Sequence, residues 1–283
     1  MNEVTIGGIS LSQIGLGTFP LKGESLHQAL LNAVNRGYRL IDTAYKYHNE
    51  SDIGDFMLQH DRPDSSIVVQ TKFSATQLTY KKFLWLKYGN TTIDDAINGS
   101  IGRLKRKILD VYLLHSPSNG YSDFFGELLR FRRDGKAKVV GVCKFDEQQL
   151  WDIRNKCGEF PTINQIEVHP FNSNKRLIGF CKEHGIVVEA RSLFAHGDAL
   201  NELTQSDILQ KIAKDYRKSV PQVIIRWVIQ QGLIAIVKSG MPDHIRDNSE
   251  VFDFCLTEKE MSLIDTMNRN QSFGYVSQSF KNH

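Results

Sequence analysis

Four residues of this 283-residue chain, Asp42, Tyr47, Lys72 and His115, together have the side chains that reduction of a carbonyl group requires. Hydride delivered to a ketone or aldehyde leaves negative charge on oxygen, which needs a proton and a hydrogen-bond donor. Tyr47 is the candidate acid, although a phenol with a pKa of about 10 is weak near neutrality. Lys72 beside it would favour phenolate and lower that value, while Asp42 would hold the ammonium in place and charged. His115 would orient the carbonyl oxygen. Neither a metal nor a nucleophilic residue is required. Taken singly, each has a plainer reading: an Asp closing a strand caps a helix, a Lys is solvated, a His packs. A lysine at a strand end also suits a Schiff-base lyase. Asp42 counts against that alternative, because such a lysine is better kept neutral.

Three of the four close short β-branched runs. Asp42 ends Arg39-Leu40-Ile41-Asp42, Lys72 ends the run from Ser66, and His115 ends Asp110-Val111-Tyr112-Leu113-Leu114-His115. Further runs are Lys138 to Val142, Ile163 to Glu167, Ile186 to Glu189 and Leu233 to Val237, with Val251-Phe252-Asp253-Phe254 as an eighth. Runs this short and apolar suit parallel strands buried on both faces. Amphipathic stretches separate them: Ser25 to Asn35 with Gly37 as its stop, Ile93 to Arg106, and Ser206 to Gln231 as two helices broken near Val220-Pro221. Thr257 and Glu260 open a last helix in capping-box order. Eight strands alternating with helices in one undivided chain predict an α/β fold, a (β/α)8 TIM barrel, as a single domain over residues 1–283. Polar residues at strand C-termini then converge on one mouth. Ahead of the barrel, Val4 to Leu11 with Gly7-Gly8 at its centre predicts a β-hairpin.

Composition narrows the function classes. Hydrophobic residues at 41% and charged residues at 24% fit a folded globular protein, and 35 basic against 32 acidic residues leave a net charge of +3, too little to point to nucleic acid. Apolar stretches fall far short of the roughly 18 residues of a membrane helix. The cysteines Cys143, Cys157, Cys181 and Cys255 match no zinc or Cys-x-x-Cys spacing, and the start Met-Asn-Glu-Val-Thr has no leader pattern. A reduced, cytoplasmic protein without a metal is expected. Gly15-Leu16-Gly17 begins like a Rossmann phosphate loop, but Pro20 stands where the third glycine belongs; Gly135-Lys136 lacks the upstream glycine of a P-loop. Any nucleotide cofactor must be held another way.

Several segments resemble the aldo-keto reductase family: Gly15 to Phe19, Gly37 to Ala44 with Tyr47-His48-Asn49-Glu50, Gln70-Thr71-Lys72, Leu113 to Pro117, Asn164 to Pro170, and Ile236-Val237-Lys238-Ser239. The resemblance implies the tetrad Asp42, Tyr47, Lys72 and His115, a hairpin across the barrel bottom, and an extended nicotinamide cofactor, NADP(H) rather than NAD(H). For the nicotinamide end it implies Thr18, Asp42 and Gln165, with Cys143 and Lys144 where the family has Ser-Asn, and Arg191 where it has a stacking tyrosine, followed by Ser192 and Phe194. For the adenosine end it implies Lys238, Ser239 and Asn248, with His244 in place of an arginine that clamps the 2′-phosphate and Arg246 close by. The altered nicotinamide shell leaves a second reading open, an NADP(H)-binding sensor with little turnover.

The pocket also departs from the family. Phe19, Phe73 and Ser116 stand where tryptophans or a Leu-Trp pair are common, and the short tail carries the large rings Phe273 and Tyr275. A wide, polar pocket for a hydroxylated, sugar-like carbonyl substrate is expected. The expected partner is that small molecule, with no nucleic acid and no membrane, and the chain is expected to be a monomer.

Overall fold

Parallel pairing of the short apolar runs closes a barrel. The computed structural model describes residues 2–60, 67–75, 78, 92–196 and 198–273; Ser66, the first residue of one expected run, and Tyr275 lie outside them. An antiparallel hairpin, β1 (Glu3–Ile6) and β2 (Ile9–Ser12), turns at Gly7-Gly8, both at positive φ. The barrel strands are β3 (Ile14–Gly17), β4 (Leu40–Asp42), β5 (Val68–Phe73), β6 (Leu109–Leu114), β7 (Ala137–Cys143), β8 (Ile163–Glu167), β9 (Val187–Arg191) and β10 (Ile234–Lys238), with β10 paired to both β9 and β3.

The expected eighth strand is corrected. Val251 to Phe254 is irregular, and the missing strand is β3, the first of the barrel. Asp42 therefore ends the second barrel strand. Two glycines hide β3 from a reading based on β-branched runs, yet the barrel interior demands one of them: a Cβ on Gly15 would lie 2.8 Å from Ile236 Cδ1 and 2.9 Å from Leu40 Cδ2.

Alternation along each strand separates two cores. Leu40, Val68, Val111, Leu113, Val139, Ile163, Ile234 and Ile236 fill the lower barrel with Leu11, and Val4, Ile6 and Ile9 of the hairpin pack beneath them. The opposite parity, including Ile41, Val69, Phe73, Tyr112 and Leu114, packs against the helices. These include α1 (Gly23–Asn35), α2 (Glu50–His60), α3 (Ile93–Arg103), α4 (Tyr121–Arg133), α5 (Glu147–Cys157), α6 (Lys175–Glu183), α7 (Asp198–Thr204), α8 (Asp207–Tyr216), α9 (Val220–Gln230), α10 (Pro242–Ser249) and α11 (Glu258–Asp265). The break between α8 and α9 falls at Arg217, at φ 56°, and Pro221 lies in the first turn of α9, where its missing N–H is harmless. Thr257 and Glu260 form the expected capping box.

Helix α2 supports β5 directly. Thr71 Oγ1 donates to Glu50 Oε1 at 2.6 Å, and Glu50 Oε2 accepts from Arg103 Nε of α3 at 2.7 Å. One turn on, Gly54 lets α2 lie on the end of α3: a Cβ there would approach Arg103 O to 2.2 Å. Gly54→Ala is expected to destabilise the protein by about 1–3 kcal/mol through overpacking, read as a lowered midpoint of thermal unfolding.

Candidate active site

Lys72 ends its inward-facing row on β5 at the barrel mouth. It is fully buried, and its Nζ donates to Asp42 Oδ1 at 2.5 Å and to Thr43 O at 2.9 Å. Burial works against the ammonium, but the Asp42 carboxylate, seconded by Tyr47, holds its pKa above the ordinary lysine value. Asp42 is fixed in turn through its backbone: its carbonyl accepts from the Thr18 amide at 3.0 Å and the Thr18 hydroxyl at 2.9 Å.

Tyr47 ends a short 3₁₀ turn, Tyr45–Tyr47, which His48 closes in the left-handed region. Asn49 ties this loop down, accepting from Thr43 Oγ1 at 2.6 Å and donating to Leu21 O at 3.0 Å. The Tyr47 ring meets Phe19 at 5.1 Å and the edge of His115 at 5.9 Å between centroids, and Lys72 Nζ lies 5.4 Å from its centre. Burial raises the phenol's pKa, outweighing the lowering by Lys72 that the residue types alone suggest. Tyr47 is therefore held as a protonated phenol.

His115 follows β6, its amide bonded to Phe73 O at 2.8 Å, and its Nδ1 is buried with no partner among the described residues. Burial, then Lys72, Lys144, Lys46 and Arg191 in that order, push its pKa well below the ordinary value, so the ring is a neutral imidazole at pH 7.

The next strands bring the expected nicotinamide-end residues to the same mouth. Cys143 ends β7 and its thiol donates to Gln165 Oε1 at 3.6 Å; Lys144, at φ 71°, gives its amide to Gln165 O at 2.9 Å. Gln165 Nε2 donates to Asp42 Oδ1 at 3.0 Å and to Glu189 Oε2 at 2.8 Å. Arg191 ends β9 with Nη1 on Ser192 Oγ at 3.1 Å and Nη2 at 3.8 Å from Glu167 Oε2. Burial works to raise the Glu167 pKa, but hydrogen bonds from His169, the Phe273 amide and Ser272 hold it down at about 2. Phe194 is half-buried against the helical core.

A second group stands beside β3. Lys238 is exposed at the end of β10 in register with Gly17, and Ser239 Oγ accepts from the Met241 amide at 3.1 Å. His244 is exposed and Asn248 buried on α10. Arg246 is engaged by Asp243 and Asp247, each at 2.9 Å.

Of the expected pocket residues, Phe19 is 59% exposed beside Tyr47, and Ser116 is half-buried after His115. Phe73 is a correction. The alternation that turns Lys72 inward turns Phe73 out, fully buried against Phe124 at 5.6 Å between centroids. Two polar residues escaped the sequence reading, Gln70 and Glu189. Both share the inward parity of Lys72 and Arg191 on their strands, and that parity is the signal that finds them.

The sequence profile of the Aldo/keto reductase family matches residues 12–269. The chain is 35% identical over 272 residues to the uncharacterized oxidoreductase YtbE of Bacillus subtilis (strain 168), covering 94% of this chain and 92% of that protein. Among solved structures, an aldo-keto reductase from a Medee basin deep-sea metagenome library superposes with a TM-score of 0.83 at 32% identity, covering 94% of this chain and 96% of that one. A point mutant of Gox0644 in complex with NADPH gives a TM-score of 0.82 at 29% identity, covering 95% and 94%. A closed eight-stranded parallel barrel, a buried Lys-Asp pair beside a tyrosine at its mouth and these likenesses lead to one conclusion: the chain belongs to the aldo-keto reductase family of NAD(P)H-dependent oxidoreductases.

Proposed function

We propose that this barrel uses NADPH to reduce a small, polar aldehyde or ketone to the alcohol, with Tyr47 as the proton donor. The observation that carries the reading is the Lys72–Asp42 pair at 2.5 Å, buried beside the Tyr47 ring. The bound cofactor supplies hydride. Tyr47, protonated at rest, gives its proton to the carbonyl oxygen, and the Lys72 ammonium stabilises the phenolate left behind. Neutral His115 donates a hydrogen bond to the same oxygen without competing for the proton. A lysine held charged by a carboxylate is unsuited to Schiff-base chemistry, which counts against the lyase alternative.

The donors and acceptors present fit a nicotinamide carboxamide. Both protons of Gln165 Nε2 are engaged by Asp42 and Glu189, so Gln165 offers only acceptor capacity at Oε1. Lys144, one residue past Cys143, supplies the donor that the amide lacks. Arg191 Nε is buried without a partner among the described residues, and its guanidinium presents a flat face able to stack on a ring. At the other end Lys238, Ser239 and His244 are the phosphate-binding candidates and Asn248 the adenine contact. Arg246, neutralised by two carboxylates of its own helix, is a poor clamp for a 2′-phosphate.

Polar specificity is supported by Lys46, Lys144 and Arg191 around His115, together with the turning away of Phe73. Hydroxylated aldehydes or keto-sugars are the proposed substrates. Saturation by such compounds at lower concentration than by apolar aldehydes of similar size is the expected result in steady-state kinetics.

Tyr47→Phe is expected to lower kcat for NADPH-dependent aldehyde reduction by about 100-fold or more while leaving NADPH affinity nearly intact, measured by NADPH absorbance and by fluorescence titration. Because burial and the surrounding cations hold the His115 pKa well below the ordinary imidazole value, the ring gains no charge as the pH falls from about 7 to about 6.5, and reduction shows no loss over that acidification. Lys238→Met is expected to weaken NADPH binding by about tenfold and to reduce its salt dependence, with a smaller effect on NADH.

A further inference from the structure

Glu189 lies in the middle of β9, fully buried, with Gln165 of β8 and Ile234 of β10 as its register partners. Its Oε2 accepts from Gln70 Nε2 at 2.7 Å and from Gln165 Nε2 at 2.8 Å. The same two nitrogens donate to Asp42 Oδ1 at 2.7 Å and 3.0 Å. Each amide nitrogen has two protons, so two amides bridge two carboxylates and have no donor left.

The charges across this layer are unequal. Asp42 faces it from β4 and Lys72 from β5; β8 offers the Gln165 amide, and β10 is apolar at Ile234. Of the two carboxyl groups the Lys72 ammonium bonds only to that of Asp42, so an ionised Glu189 has no cation in contact among the described residues. Glu189 Oε1 and Gln70 Oε1 are both buried with no partner among the described residues. Two buried acceptors without a donor in one layer is the pattern left when a carboxyl proton is omitted; a carboxylic acid brings the missing donor. In agreement, burial, with the Asp42 charge behind it, raises the Glu189 pKa to about 7, against the opposing hydrogen bonds of the two glutamines.

We propose that Glu189 works as a neutral carboxylic acid, a positioning residue that orients Asp42 through the amides of Gln70 and Gln165, and that its ionisation slows carbonyl reduction. The rate effect rests on the reductase reading above; the protonation state does not. As Tyr47 gives up its proton, the Lys72 charge stabilises the phenolate. When Glu189 has released its proton to solvent, a second carboxylate opposite Asp42 offsets that charge and makes the phenolate harder to form.

The test combines infrared difference spectroscopy with kcat–pH profiles, on the full chain and on Glu189→Gln. Expected is a protonated-carboxyl band that titrates near neutrality in wild type and is missing from Glu189→Gln. Reductive kcat is expected to fall by about tenfold from about pH 6 to about pH 8.5 in wild type, and by no more than about twofold in the variant. Gln70→Met removes a bond that favours the ionised form, so it moves the kinetic midpoint to higher pH, and it serves as the second variant should Glu189→Gln fail to fold. A fully ionised Glu189 at pH 6, superposable profiles, or a midpoint unmoved in Gln70→Met overturns the proposal. Absence of turnover in wild type overturns the reductase reading and with it the rate effect, while the infrared titration still decides whether Glu189 is an acid.

Discussion

An ammonium group removed from water inside a barrel is several kcal/mol unfavourable unless a counter-charge and hydrogen bonds replace its hydration. Lys72 meets that condition with one carboxylate and one carbonyl, Asp42 and Thr43, and the surroundings serve to keep those two acceptors where they are. Thr18, just past β3, clamps the Asp42 carbonyl, two amides hold its carboxylate oxygen from β5 and β8, and Asn49 bonds back to Thr43 across the loop that carries Tyr47. The catalytic tyrosine of the proposed mechanism is thus placed by the same contacts that make a buried lysine tolerable.

Depth decides protonation at this mouth. Tyr47 and His115 are pushed by burial in opposite directions, the phenol upward and the imidazole downward, and both end in their neutral forms. Neutral groups around a charged pair suit a reaction in which negative charge appears on oxygen: the phenol has a proton to give and the imidazole an N–H to share. The charge that responds to the reaction is then that of Lys72, whose partner Asp42 is already engaged by three donors on a single oxygen.

Much of this was legible in the residues. The Gly-Gly hairpin, the Thr257–Glu260 capping box and seven of the barrel strands follow from turn chemistry and β-branched runs, because those signals are local. β3 was not legible, since Gly15 and Gly17 erase the strand signal for a reason that lies on other strands, the Ile236 and Leu40 side chains opposite Gly15. Val251 to Phe254 shows the converse: an apolar run that packs beside a helix without joining the sheet. Phe73 was misplaced because sequence position brings it beside Lys72, whereas strand alternation sends the two side chains to opposite faces.

By itself the sequence determined the family and the barrel and singled out four candidate residues at its mouth, because motif order and spacing along a chain survive without knowing where the side chains point. Tertiary structure alone decided the state of those groups. Whether Lys72 lowers the tyrosine's pKa or burial raises it is a contest between a nearby charge and lost hydration, and only the depth of the site sets the outcome. The pairing of Glu189 with Asp42 through two glutamines joins residues 119 and 123 positions apart in the chain, and no local pattern announces a bridge that exists only once the barrel has closed.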